Sequence, residues 1–252
     1  MRVAIAPWLD LGLTGRDRLE ALLWPAIDEA MACIDPAAVK SLRTALALGL
    51  PSPRPGVPDD LQSAITRAVS ARHRGHIGAI ACFPNGHAAG LMALDAALGK
   101  FAKGGLDACI VAGVDSYIDP DTLEWLEANE QLHGAGPLNN AWGFIPGEAA
   151  GAVLLLREQV AQRLKLDALA RPLATGLAVE AKRIKTETVC IGEGLTQAFR
   201  AALAGLPAGD RVSDIYCDMN GEPYRADEYG FSCLRTGEHL AAAGDFVAPA
   251  DC

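Results

Sequence analysis

Short runs of small and apolar residues alternate along the chain with longer stretches whose apolar positions recur at helical spacing. TALALGLP, residues 44–51, alternates weakly and stops at proline, which reads as a strand. Between Asp60 and Ala71, the residues Leu61, Ala64, Ile65 and Ala68 share one helical face. Gly78 to Cys82 then predicts a buried strand, and an Ala-rich helical pattern opens near Gly86 and runs to about Lys103. Its apolar positions, Ala88, Ala89, Leu91, Met92, Leu94, Ala96, Ala97 and Leu98, cover most of the surface, as in a helix enclosed within a protein layer. Gly104 and Gly105 end it, and LDACIVAGVDS supplies the next apolar strand. Strand, helix, strand is a parallel crossover unit, so the fold class is α/β.

The flanking stretches keep the same alternation. MRVAI is a short β-like run, Thr14 caps a predicted helix from about Arg16 to Cys33 that contains Pro25, and a second helical patch follows Asp35-Pro36. Four prolines in PSPRPGVPDD, residues 51–60, remove the backbone donors that helix and sheet require and predict an extended loop at a rim or partner contact. Asp119 and Pro120 start a helix to about Gln131, whose acidic positions 121, 124, 127 and 130 mark a solvated or partner-facing side. The loop HGAGPLNNAW leads to GFIPGEAAGAVLLL, whose wholly apolar end predicts a strand central in the sheet. Beyond it come a long strand (RPLATGLAVEAKRI), a helix (IGEGLTQAFRAALAG), a strand (SDIYCDMN) and a last helix (YRADEYGFSCLRTGEHLAA) with no strand expected after it.

With 252 residues, 50% hydrophobic and 21% charged, the chain can bury a substantial core. A net charge of -9 argues against a nucleic-acid face, which needs clustered Lys and Arg, and favours a small or acyl-carrying partner. No apolar run approaches the ~20 residues that span a bilayer, and Pro7 and Asp10 interrupt the first run. Neither a membrane helix nor a signal peptide is expected, and the expected location is cytoplasmic. The cysteines at 33, 82, 109, 190, 217, 233 and 252 are scattered with no CxxC pair, which suggests neither a disulfide framework nor a zinc site.

Cys82 is the candidate for chemistry. At a strand-to-helix elbow, the first helical N–H groups and the positive end of the helix dipole would hold a thiolate or a developing oxyanion. The alternative is a structural thiol, since free cysteine is among the most buried residue types. His87 reads as a packing residue one turn into the helix. His73 and His76, three apart with no third ligand nearby, read as surface or dimer-contact residues more than as metal ligands. Glu148 in the PGEAAG turn either braces loops or is a satisfied turn carboxylate, and Asn220 either lines a pocket or belongs to an ordinary Asn-Gly turn. Nucleotide fingerprints and the GxSxG elbow are absent.

The elbow ACFPNGHAAG, the strand DACIVAGVDS some twenty residues on, and GFIPGEAAGAVLLL beyond it resemble, in order and spacing, stretches of the β-ketoacyl synthases of the thiolase-like superfamily. The resemblance covers about residues 75–225. It implies a layered αβαβα fold, short at both ends, in a single domain over 1–252 with one core at about 75–160 and a partial second half at about 170–252. It also implies a homodimer formed through the strand Asp107 to Val114. Residue by residue, the family's nucleophile falls on Cys82, its helix glycine on Gly90 and its Gly-Phe turn on Gly143 and Phe144. The implied chemistry is acyl transfer to a thiolate from a CoA thioester or from the phosphopantetheine of an acyl carrier protein, without a tightly bound cofactor.

Three residues depart from the family pattern. Phe83 and Pro84 follow the cysteine where small residues are usual, so a phenyl group would share the acyl space with Gly143 and Phe144. Asn220 stands where the family has a histidine, and an amide carries no imidazole proton. The second histidine motif, with its lysine, has no match in this sequence, and full decarboxylative condensation is not expected. Two functions stay open: a β-ketoacyl synthase-like acyltransferase of fatty acid or polyketide type working through a Cys82 thioester, or a degenerate relative serving as a structural or binding subunit, homodimeric or paired with a related synthase.

Overall fold

The computed structural model describes residues 2–134, 136–137, 139–183 and 188–249; Cys252, Ile184 of the predicted 171–184 strand, and Ala135 and Leu138 of the predicted 133–142 loop lie outside them. The described residues divide into two compact units, one of residues 3–125 and 146–171, the other of residue 2, 126–145 and 172–249.

The first unit is built on a four-stranded sheet of β1 (Thr44–Leu50), β2 (Ala79–Pro84), β3 (Ala108–Ser116) and β4 (Glu148–Leu156), in the order β2-β1-β3-β4. Both β2 and β3 run parallel to β1, and β4 runs antiparallel to β3. Side-chain size decides which layer meets each face. Leu46, Leu48 and Leu50 of β1 pack with Leu19, Leu22, Leu23 and Ile27 of α1 (Gly15–Met31) and with Ile65 and Val69 of α3 (Leu61–Arg72). On the other face Ala47 meets Ala93 and Ala97 of α4 (Ala89–Ala102). Gly49 lets that helix come close, because a Cβ there would stand 2.8 Å from the Gly90 backbone nitrogen. A strand covered on both faces has no polar side to alternate with, hence the weak alternation in TALALGL.

Shorter helices complete this unit. Asp35 caps α2 (Pro36–Val39) by accepting from the Ala37 N–H at 2.7 Å, and α6 (Glu158–Leu164) follows β4. Pro25 does not interrupt α1. Asp119 accepts from the Asp121 and Thr122 N–H groups at the start of α5 (Pro120–Ala128). The proline-rich loop is pinned where Arg54 donates to Asp115 at 2.6 Å and where the Thr122 hydroxyl donates to the Pro55 carbonyl. In the second unit, α7 (Glu193–Leu203) and α8 (Pro223–Thr236) accompany a parallel pair, β5 (Val212–Tyr216) and β6 (Leu240–Val247).

Several sequence expectations are corrected. Met1 of the MRVAI run lies outside the described residues, and the described part contributes only a single bridge, Ala4 to Gly147. β4 lies at the sheet edge, not its centre: Ala150, Ala152 and Leu154 turn to the core, while the outward Val153 is 55% exposed, and apolar residues on both faces hid the alternation. β3 is flanked by β1 and β4, so it has no free edge for a dimer, whereas β2, among the described residues, pairs with β1 alone and is half-exposed rather than buried. α4 buries only Ala89, Ala93 and Ala97 and leaves Leu91 61% exposed. Among the described residues 171–183 forms no strand; it lies so close to α7 that a Cβ on Gly176 would overlap the Ala198 carbonyl. A strand does follow the last helix, namely β6. No helix among the described residues is long and apolar enough to cross a membrane.

One ion pair joins three parts of the first unit. Arg18, on α1, donates through Nε to Glu148 Oε2 at 2.5 Å and through Nη2 to Oε1 at 2.7 Å, and both side chains are essentially unexposed, at 1% and 0%. Arg18 also donates to the Asp10 and Leu13 carbonyls, while Glu148 accepts from the Ala6 N–H and the Ser116 hydroxyl. Burial alone would raise the Glu148 pKa; Arg18, the Ala6 N–H and Ser116 outweigh it and hold the carboxyl below its ordinary value. Glu148→Gln leaves a buried cation unmatched and is expected to lower unfolding free energy by about 3–5 kcal/mol, measured by urea denaturation, with Arg18→Met/Glu148→Leu losing less. The carboxylate's contribution is present above about pH 4.5, the ordinary glutamate value, and is lost as pH falls through the depressed folded value.

Candidate functional site

Cys82 is a strand residue. β2 continues past it to Pro84, the chain turns at Asn85, and a single 3₁₀ turn at Gly86–Ala88 precedes α4. The first N–H groups of α4 therefore belong to residues several positions downstream, and the elbow proper is formed by Asn85, Gly86 and His87. This corrects the expectation that the thiol sits at the helix N-terminus. His87 is exposed there rather than packed beneath a site.

The pleat decides which way the thiol points. Successive side chains of a strand face opposite sides, so Cys82 turns with Ile80 toward the core formed with α1 and α3, and Phe83 turns toward Ala93 and Ala97 of α4. Phe83 and the thiol thus lie on opposite faces of the sheet. The Cys82 sulfur is 3.6 Å from the Thr66 hydroxyl oxygen. Thr66 gives its own proton to the Gln62 carbonyl at 2.7 Å, leaving a lone pair for the thiol S–H. Burial pushes the Cys82 thiol above the ordinary range, and it pushes Cys109 to about 11.

The remaining predicted residues belong to the second unit. Gly143 lies against the Leu132–His133 backbone, where a Cβ would approach Gln131 O to 2.6 Å, so only glycine fits. Phe144 is buried, its N–H donates to Gln131 O at 2.8 Å, and it bridges to Leu132. Asn220 closes a local turn: its amide donates to Glu222 Oε2 at 3.0 Å and its oxygen accepts the Glu222 N–H at 3.2 Å. Glu222, itself buried, also accepts from Gln131 and Arg225. Both ends of the Asn220 amide are engaged within this turn.

Sequence reasoning missed several participants. Thr66, sixteen residues before the thiol, carries no local sign of its role, and Gly49 rather than Gly90 sets the strand-to-helix approach. Among the described residues His73 and His76 gain no third ligand, and Glu148 is a satisfied carboxylate. Also among the described residues, Glu180, Cys190 and Glu228 have ligand atoms within 4.8 Å of one another and are the set that could hold a metal ion. There the Cys190 thiol donates to Glu228 at 3.2 Å and Glu180 accepts the Gly194 N–H at the start of α7.

Residues 69–161 match the family described as β-ketoacyl synthase, N-terminal domain. No curated protein matches the chain in sequence. Among solved structures, it resembles a chain of AntDE:AntF, a type II PKS acyl-carrier protein in complex with its ketosynthase bound to the hexaketide, with 16% identity, a TM-score of 0.70, and coverage of 87% of this chain and 64% of that one. For the oxazolomycin ketosynthase domain OzmH KS7 of Streptomyces albus the figures are 18%, 0.67, 95% and 44%. For a β-ketoacyl synthase from Burkholderia phymatum they are 13%, 0.66, 94% and 67%. These likenesses show an α/β ketosynthase-type fold, and the chain spans 64% and 44% of the first two structures.

A thiol with a raised pKa holds little thiolate at neutral pH, because the thiolate fraction falls about tenfold each time the pKa rises by one. Iodoacetamide near pH 7.5 is therefore expected to label the exposed Cys33 faster than the half-buried Cys82, whose thiol is raised by burial, read by peptide mass spectrometry over time.

Proposed function

We propose that this chain, which carries a β-ketoacyl synthase N-terminal domain over residues 69–161, serves as a non-condensing subunit of an acyl-processing complex. In this reading it pairs with a second thiolase-fold chain and is visited by an acyl carrier protein. The observation that carries the reading is the orientation of Cys82. Acyl transfer to cysteine requires a thiolate open to the acyl group and N–H donors beside the developing oxyanion. A half-buried thiol on the inner face of β2, bonded to Thr66 and raised in pKa, offers neither. Asn220, closed on Glu222, supplies no proton donor or acceptor of the imidazole kind.

The outer edge of β2, unpaired among the described residues, supports the pairing half of the proposal. Ala79, Ala81 and Pro84 are exposed along it, and a free strand edge is a row of backbone donors and acceptors that templates another strand. The occupant would be a second copy or a related synthase. The carrier-protein half draws on the AntDE:AntF structure, whose ketosynthase is seen with its acyl-carrier protein. No tightly bound cofactor enters this reading. The competing reading, an acyltransferase working through a Cys82 thioester, is favoured by the family match, which includes the Cys82 stretch.

Incubation with acyl-CoA and with acyl carrier protein charged on its phosphopantetheine separates the two. Intact-mass spectrometry is expected to find no acyl adduct, and an adduct that disappears in Cys82→Ala would establish the acyltransferase instead. For the pairing, Ala81→Arg is expected to weaken self-association or association with a synthase at least about tenfold on size-exclusion chromatography, since charge on an edge strand opposes pairing. Unchanged association would remove β2 from the interface.

A further inference from the structure

We infer that His73 is an acid-sensitive pin for the turn joining α3 to β2: neutral, it seats residues 73–78 against α1, and protonated, it releases them. This pin does not depend on what pairs with β2. His73 ends α3, its N–H donating to the Val69 carbonyl at 2.9 Å, and its own carbonyl accepts the His76 N–H at 2.9 Å and the Ile77 N–H at 3.3 Å. One residue later the Gly78 N–H donates to the Thr44 carbonyl at 2.8 Å, the contact that brings the chain alongside β1. The backbone of His73 is thus the hub through which the α3 terminus is handed on to β2.

Its side chain is held against α1. The imidazole stands 6.2 Å from the Trp24 ring, centroid to centroid, and Nε2 is buried and, among the described residues, without a hydrogen-bond partner. One unmet nitrogen on a neutral ring is tolerable, whereas a protonated ring makes Nε2 a charged donor with no acceptor in place. The charged groups facing it come from three places: Asp28 on α1, Arg72 on its own helix, and His76 in the turn. Asp28 is already paired with Arg72 at 2.6 Å, and Arg72 lies over Trp24 at 5.4 Å. A proton on His73 would therefore add a cation beside another, with the nearby anion engaged. Burial lowers the His73 pKa, Asp28 opposes that, and Arg72 and His76 add to it; the net direction is downward from 6.5.

The unfolded chain then binds more protons than the folded one as pH drops from about 6.5 toward the folded value, so stability falls on acidification through that window. The test uses the full chain and its His73→Phe and His76→Asn variants. The His73 ring proton is followed by NMR through a pH titration, and urea midpoints are compared at about pH 7.5 and 5.5. The expected result is a His73 titration below 6.5, a midpoint that falls with acid in the parent and in His76→Asn, and a smaller fall in His73→Phe. Amide exchange at Ile77 and Gly78, corrected for its intrinsic pH dependence, is expected to quicken in the parent over the same range. A His73 titration at or above 6.5, or an equal fall in His73→Phe, overturns the inference. Should His73→Phe fail to fold, the titration and exchange of the parent decide it.

Discussion

The first unit depends on a charge that has no access to water. Arg18 and Glu148 stand 130 residues apart in sequence, yet they share a two-pronged contact from which the segment containing Ala6, Asp10 and Leu13 hangs. That segment has almost no regular structure of its own, and the backbone groups it offers to the pair help to fix its position beside the Ala4–Gly147 bridge and the packing of Ala6 and Leu9. Ser116, the last residue of β3, is tied to the same carboxylate. The pair thereby fixes the carboxyl end of β3 to the start of β4, and α1 to both. Desolvation of two charges is tolerable here because the Glu148 oxygens and most Arg18 donors find partners.

The same sheet dictates what Cys82 can do, through parity. Even-numbered residues of β1 and β2 face the leucine-rich layer of α1 and α3, and odd-numbered ones face the alanine-rich side under α4. Because the pleat has a period of two, a cysteine at 82 is committed to the interior layer as firmly as Leu48 beside it in register. A nucleophile poised at a helix N-terminus would have to lie past the end of the strand, among Asn85 to Ala88. With Phe83 on the opposite face, the two residues that the sequence places side by side never share a cavity.

Local periodicity made much of this legible in advance. β1, α3, α4 and β3 were each readable from their own residues, and the crossover unit followed from their order. Edges were not readable: whether a strand is central depends on pairing with distant residues, and the outward Ala149, Gly151 and Val153 of β4 look as apolar as its inward face. The stretch 171–183 read as a strand from its residue types, yet a strand exists only where a neighbour accepts its hydrogen bonds, and here α7 is the neighbour instead. At the site, the family resemblance correctly pointed to the elbow stretch and its fold. It carried no information on the Thr66 contact, the Asn220–Glu222 turn or the close approach at Gly143, all of which are set by packing.

A non-condensing role stands or falls on the protonation state of one thiol. Selective ¹³C labelling of cysteine, with the Cys82 Cβ signal assigned through the Cys82→Ala variant and followed from about pH 6 to 11, measures that state at the atom concerned. We expect a single titration above the ordinary thiol value, with Cys82 a neutral thiol throughout the physiological range. A Cys82 that titrates below about pH 7.5, and so holds a substantial thiolate population near neutrality, would contradict that role.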